Sequence, residues 1–180
     1  VDEPDPQVVA AARAGEMPAF EKLVRRYQAD VWRLSFHLIR DEDLASDITQ
    51  EAFVRAYRNL KRYRGEARFT TWLFSIARNC AIDEMRRNQR RTRIRDRFRA
   101  ERPKPESDVS LSIEIREAVA ALDHELREPL VLIDMFGMSY SEVSGISGVP
   151  VGTIKSRMHR ARSILARELR PESSEAQDGV

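Results

Sequence analysis

Asp47, Gln50, Glu51, Val54 and Arg58 recur three or four positions apart, so a helix would carry all of them on one face. Phe53, Ala56 and Leu60 fall on the opposite side, where a core-facing stripe belongs. Two carboxylates beside an amide are the raw material of general acid/base chemistry or of a metal site. Nothing else in the chain supports either use. No His or Cys joins the cluster, His37, His124 and His159 are scattered, and no nucleophile motif or glycine-rich phosphate loop occurs. No catalytic residue, metal ligand or cofactor is therefore assigned, and an enzyme is not expected. The face reads as a protein-docking surface, with a plain solvated face as the alternative.

A second group lies just downstream. A helix opening after Phe69-Thr70-Thr71-Trp72 carries Trp72, Ser75, Asn79 and Arg86 along one side and Leu73, Ile76 and Cys80 along another. Tyr63 sits in the preceding Tyr63-Arg-Gly-Glu-Ala-Arg68 loop. An aromatic beside polar and basic groups can stack an unpaired base and hold its backbone. Tyr63 and Trp72 suit a core equally well, and spacing alone leaves both uses open. Cys80, the only cysteine, has apolar neighbours and reads as a small core residue. A lone cysteine forbids an intramolecular disulfide and leaves the redox compartment unconstrained.

The third group is cationic. Laid out at about 100° per residue, Ile154, Met158, Ala161 and Leu165 share a sector of roughly 60°, the expected buried face. Lys155, Ser156, His159, Arg160 and Ser163 occupy the other side, with Arg157 and Arg162 at its two borders. No acid occurs between Pro150 and Arg167. Such a helix suits a major groove, with hydrogen-bonding side chains centred on base edges and cations flanking toward both phosphate backbones. Upstream, Ser139-Tyr-Ser-Glu142 has the form of a capping box that starts a short helix carrying Val143 and Ile146. Gly148 offers the turn, and Pro150 suits the first turn of the next helix. The sum is a helix-turn-helix.

The elements that must position these groups are all helical. Glycine is scarce and apolar residues recur at helical spacing along most of the 180 residues. Ala19, Phe20, Leu23, Val24 and Tyr27 begin a stripe that Val31, Leu34, Leu38 and Ile39 continue. Helices are predicted from about Ala45 to Leu60 and from about Thr71 to Arg87. From residue 88 to 110 the pattern fails amid arginines, Pro103, Pro105, Ser107 and Ser110. Periodicity resumes with Ile113, Ile115, Val119, Leu122 and Leu126, then Leu130, Val131, Ile133 and Met135. The expected fold is all-α: a helical domain over residues 1–90, a flexible basic linker over 91–110, a second helical domain over 111–170 and a polar tail over 171–180.

The formal net charge of +2 conceals a strong polarity. Between Arg86 and Lys104 ten basic residues face only Asp96 and Glu101, a balance of +8, and between Pro150 and Arg170 the balance is +5. Asp41, Glu42, Asp43, Asp47 and Glu51 gather without an intervening base. At least two kinds of partner are implied, one of them polyanionic. No apolar run approaches the roughly 20 residues of a membrane-spanning helix. The first residues, with Asp2, Glu3 and Asp5, lack a basic-then-apolar signal pattern, so a cytoplasmic location without direct membrane insertion is expected.

Taken together, these segments resemble the extracytoplasmic-function group of sigma factors. Asp47-Ile-Thr-Gln-Glu51 with Ala52-Phe53-Val54-Arg55-Ala56 is similar to that family's region 2.2. Phe69-Thr-Thr-Trp72-Leu73, Ile76-Ala77-Arg78-Asn79 and Asp83 are similar to regions 2.3 and 2.4. Gly137-Met-Ser-Tyr-Ser-Glu142-Val143 and the run from Pro150 to Arg162 are similar to region 4.2. The resemblance spans roughly residues 15 to 170 and implies that the partners are core RNA polymerase and promoter DNA. It implies that Asp47, Gln50 and Glu51 dock on the clamp helices of the largest polymerase subunit. It further implies that Tyr63, Trp72 and Asn79 act on the −10 element as a single strand, with the 63–68 loop shaping a pocket for an extruded base. Lys155, Ser156, His159 and Arg160 would read the −35 element while a polymerase flap segment packs behind. An anti-sigma protein is a further expected partner.

Two departures stand out, Leu122-Asp123 where the family has Leu-Pro and Ser144 and Gly145 where it tends to alanine, and the carboxy-terminal extra domain of some subgroups is not expected. A freestanding helix-turn-helix regulator is the rival, but it needs neither the acidic face nor the 63–79 segment. An RNA-binding adaptor rests only on the basic stretch.

Overall fold

A short polar cap and a glycine bound the first helix. In the computed structural model, which describes residues 1–95 and 113–169, Asp5 accepts a hydrogen bond from Gln7 N at 2.8 Å and starts α1 (Pro6–Ala14). Gly15, at φ 100°, ends α1 in the left-handed region that glycine tolerates. α2 (Met17–Ile39) follows. Asp41 then caps α3 (Glu42–Leu60) by accepting from Leu44 N at 3.0 Å, and Glu42 and Asp43 complement the helix dipole in the first turn. That cap moves the start of α3 three residues ahead of the predicted Ala45.

α4 (Phe69–Arg95) overruns its predicted end at Arg87 and enters the stretch assigned to the linker. The reason is chemical. Residues 88–95 contain neither proline nor glycine, and arginine and glutamine are good helix formers. Loss of apolar periodicity marks the end of a buried face rather than the end of a helix. The remainder of the expected linker, 96–110, and the tail, 171–180, lie outside the described residues.

The chain divides into two compact units. In the first, α2 supplies Leu23, Tyr27, Val31, Leu34 and Leu38 to a core shared with α1, α3 and α4. α3 contributes Ile48, Phe53 and Leu60, and α4 contributes Phe69 and Leu73. Ala45, Ala52, Ala56, Ala77 and Ala81 are buried too, and such small side chains let helices approach closely. Each fully buried leucine contributes about 1.5–3 kcal/mol by leaving water. Trp32 Nε1 donates to Ser46 Oγ at 3.2 Å, tying α2 to α3.

The second unit comprises α5 (Ile113–Ala121), α6 (His124–Leu130), a π-helical turn (Val131–Met135), α7 (Tyr140–Ser147) and α8 (Val151–Glu168). Asp123 occupies the N-cap position of α6, which settles where that helix begins without the family's proline. Pro129 lies inside α6, and its missing N–H interrupts the α-helical ladder just ahead of the π turn. Val119, Leu122, Leu126, Leu130, Val131, Leu132 and Val143 are buried, as are Ile154, Met158 and Ala161 of α8, and α5, α6 and α7 each pack on α8. All regular structure among the described residues is helical.

Candidate nucleic-acid and protein interfaces

The turn that aims α8 is built from local hydrogen bonds. Ser139 Oγ accepts from Glu142 N at 3.2 Å while Glu142 Oε2 accepts from Ser139 N at 2.8 Å, so the capping box is complete. Gly148, at φ 70°, closes α7 in the left-handed region. Pro150 takes the N-cap position of α8 rather than its first turn. Ile154, Met158 and Ala161 are buried, and Lys155, Ser156, His159 and Arg160 are exposed on the opposite side. Ser156 Oγ donates back to Thr153 O at 2.9 Å. Among the described residues, no ion pair occupies Lys155 or Arg160 within the unit.

The two border arginines differ from that outward face. Arg157 Nη2 donates to Glu125 Oε2 of α6 at 2.6 Å. Arg162 donates through Nη2 and Nε to the two carboxylate oxygens of Asp134 in the π turn, at 2.6 and 3.2 Å, and this pairing raises its pKa further. Both cations assigned to phosphate thus already hold an acid. Neither partner was foreseen, because Glu125 and Asp134 are brought alongside α8 only by tertiary packing.

In the first unit, Asp47, Gln50 and Glu51 lie together on the exposed side of α3. Val54 and Tyr57, each 42% exposed, extend that face with apolar surface, and Tyr57 was missed by the helical-face pattern. Glu51 Oε1 accepts from Arg55 Nε at 2.6 Å, and Arg55 Nη1 reaches Asp83 Oδ2 on α4 at 3.0 Å. Glu51 is therefore part of a tie between helices as well as a surface acid. A groove of about 440 Å³ between α3 and α4 is lined by Leu44, Asp47, Ile48, Glu51, Arg55, Cys80, Glu84 and Arg87. Burial pushes the Cys80 thiol up to about 11, so at neutral pH it is protonated and a poor nucleophile. No group of three potential metal ligands occurs among the described residues.

Tyr63 and Trp72 come together, with ring centroids 5.0 Å apart, over Phe69 at 5.9 and 5.6 Å. Phe69 is buried, whereas Tyr63 and Trp72 are half-buried. Tyr63 and Trp72 are thus neither wholly core nor wholly exposed, while Phe69 belongs to the core. Tyr63 Oη donates to Ala67 O at 2.7 Å, closing the 63–68 loop. Burial, and secondarily the Glu3 carboxylate, raises the Tyr63 pKa and keeps that donor protonated. Asn79 is exposed about two turns along α4, roughly 10 Å from Trp72 at 1.5 Å per residue. Arg78 Nη1 donates to its Oδ1 at 3.3 Å. Asn79 is therefore not part of the aromatic cluster.

Comparison with known proteins matches two segments of the chain. Sigma-70 region 2 matches residues 23–91, and sigma-70 region 4 matches residues 112–165. The ECF RNA polymerase sigma factor SigE of Mycolicibacterium smegmatis is 37% identical, over 97% of this chain and 71% of its own. The ECF RNA polymerase sigma-E factor of Escherichia coli K12 is 34% identical, over 93% and 95%. Among solved structures, the sigma factor RpoE of Bartonella quintana, bound to the anti-sigma factor NepR, matches with a TM-score of 0.73 and 28% identity, covering 83% of this chain and 96% of that one. The chain belongs to the sigma-70 family, as an RNA polymerase sigma factor of the extracytoplasmic-function group. Among the described residues, no helix is long and apolar enough to cross a membrane.

Proposed function

We propose that this sigma factor divides promoter recognition between its two helical domains, residues 1–90 and 111–170, within core polymerase in the cytoplasm. The observation that carries the proposal is one chain bearing an exposed acidic face on α3 and, on α8, an exposed face with no acid from Val151 to Arg167. Asp47, Gln50 and Glu51 dock on the clamp helices of the largest polymerase subunit. Tyr63 and Trp72 offer a stacking surface to a melted −10 strand, and Asn79 contacts that strand farther along α4. Lys155, Ser156, His159 and Arg160 read the −35 duplex, Arg157 and Arg162 reach its phosphates, and a flap segment packs behind. No chemical step belongs to this chain; polymerase supplies the catalysis.

The relative solved with an anti-sigma factor supports a similar inhibitory partner here. Run-off transcription with purified core polymerase and genomic fragments tests the whole reading. Discrete transcripts that require this chain are the expected result. Sequence-specific duplex binding with no transcript would favour a freestanding regulator.

A further inference from the structure

Arg68 stands in the N-cap position of α4: its carbonyl accepts from Trp72 N at 3.0 Å. An arginine side chain has no acceptor, so it cannot satisfy the amides that follow. Glu3 does so instead. Its Oε2 accepts from Phe69 N at 2.8 Å and its Oε1 from Thr70 N at 3.1 Å. The Thr70 hydroxyl donates to the same Oε1, and Arg68 Nε lies 3.4 Å from it. A carboxylate here also complements the positive end of the helix dipole. The segment bearing Glu3 is itself fastened: buried Tyr27 donates its hydroxyl to Asp2 O at 2.8 Å, Arg68 Nη2 donates to Val1 O at 3.3 Å, and Pro4 is buried.

What Glu3 holds is the base of the aromatic cluster. Phe69 opens α4 and lies under Tyr63 and Trp72, and Arg68 is the last residue of the loop that Tyr63 closes. One carboxylate, more than sixty positions away in sequence, grips the end of the loop and the start of the helix together.

We infer that Glu3 is a positioning residue for single-strand recognition, capping α4 from outside the helix and so fixing the surface on which an unpaired base stacks. It acts through the Phe69 and Thr70 amides and not by touching DNA. The inference rests on the −10 reading of Tyr63 and Trp72 given above.

The test uses holoenzyme assembled from core polymerase and the full chain. The probe is a fluorescent twelve-nucleotide single strand selected from a random pool by the wild-type holoenzyme, beside a scrambled strand of equal composition. Glu3→Ala should weaken binding of the selected strand about fivefold, the scale of a lost helix cap, and leave the scrambled strand unchanged. Amide exchange should quicken at residues 69–72 and nowhere else in the first unit. In an Arg68→Ser background, where the introduced hydroxyl supplies the local cap, Glu3→Ala should make no further difference. Glu3→Gln keeps one acceptor and should lose roughly twofold, which preserves the test if the alanine variant fails to fold. Unchanged affinity, equal losses on both strands, or the same loss in the Arg68→Ser background would each overturn the positioning role. If the wild-type holoenzyme selects no strand at all, the −10 reading itself falls and takes this role with it. That failure is visible before any variant is made.

Discussion

Arg162 directs two N–H groups onto Asp134, and Arg157 directs one onto Glu125, so a phosphate arriving at either border of α8 must displace an acid or share its arginine. Arg162 and Asp134 are 53% and 38% exposed, where an ion pair is worth no more than about 1 kcal/mol. A phosphate can outcompete it, at a cost. Asp134→Asn should therefore tighten binding of a −35 duplex by the holoenzyme and steepen its salt dependence by roughly one counterion. Weaker binding after that change would mean that Asp134 orients Arg162 for DNA instead. Arg160 is exposed and faces outward with Lys155 and His159. Arg160→Ala should cost about 1–3 kcal/mol on the preferred sequence and relax discrimination at one or two positions. The same salt series on duplex variants separates these two behaviours. A changed salt slope with intact base preference would give Arg160 to the phosphates.

At the scale of an element, the capping box is the point where α7 can be loosened without touching its core. Ser139→Ala removes the acceptor for Glu142 N and should destabilise the second unit by about 1 kcal/mol. For so small a unit the corresponding fall in its melting temperature is about 4–8 °C, read by calorimetry of the full chain. An unchanged transition would show that packing of Val143 alone sets this helix. Ser139, Glu142 and Gly148 were legible in the sequence because each acts on backbone within a few residues of itself. The outward face of α8 was legible for the same reason, since its period is fixed by the helix. Contacts across long sequence separations were not. Glu3 on Phe69, Glu125 on Arg157 and Asp134 on Arg162 leave no trace in any local window. α1 also escaped notice, because its run of valines and alanines has little polar contrast. Pro129 gave no warning of a π turn, since prolines more often end or kink a helix than precede a wider one.

Across the whole molecule, the proposed function sorts acid and base by task. Asp47 is exposed and has no ion pair among the described residues, whereas Glu51 also holds Arg55. Asp47→Lys should therefore abolish co-elution with core polymerase while far-UV helix content stays unchanged. Glu51→Lys would mix docking with loss of the α3–α4 tie, and Glu51→Gln serves as its control. Retained co-elution by the Asp47 variant would reduce the acidic face to a solvated one. α8 shows a further sorting. Residues that fasten α8 to its unit are Ile154, Met158 and Ala161 through burial and Arg157 and Arg162 through ion pairs. Those that face outward are Lys155, Ser156, His159 and Arg160. The two sets do not overlap. On the proposed reading, a lineage can therefore rewrite which promoters such a protein answers by drifting at a few outward positions, with the scaffold inherited intact. Duplicated copies could acquire separate sets of genes without first passing through an unstable ancestor.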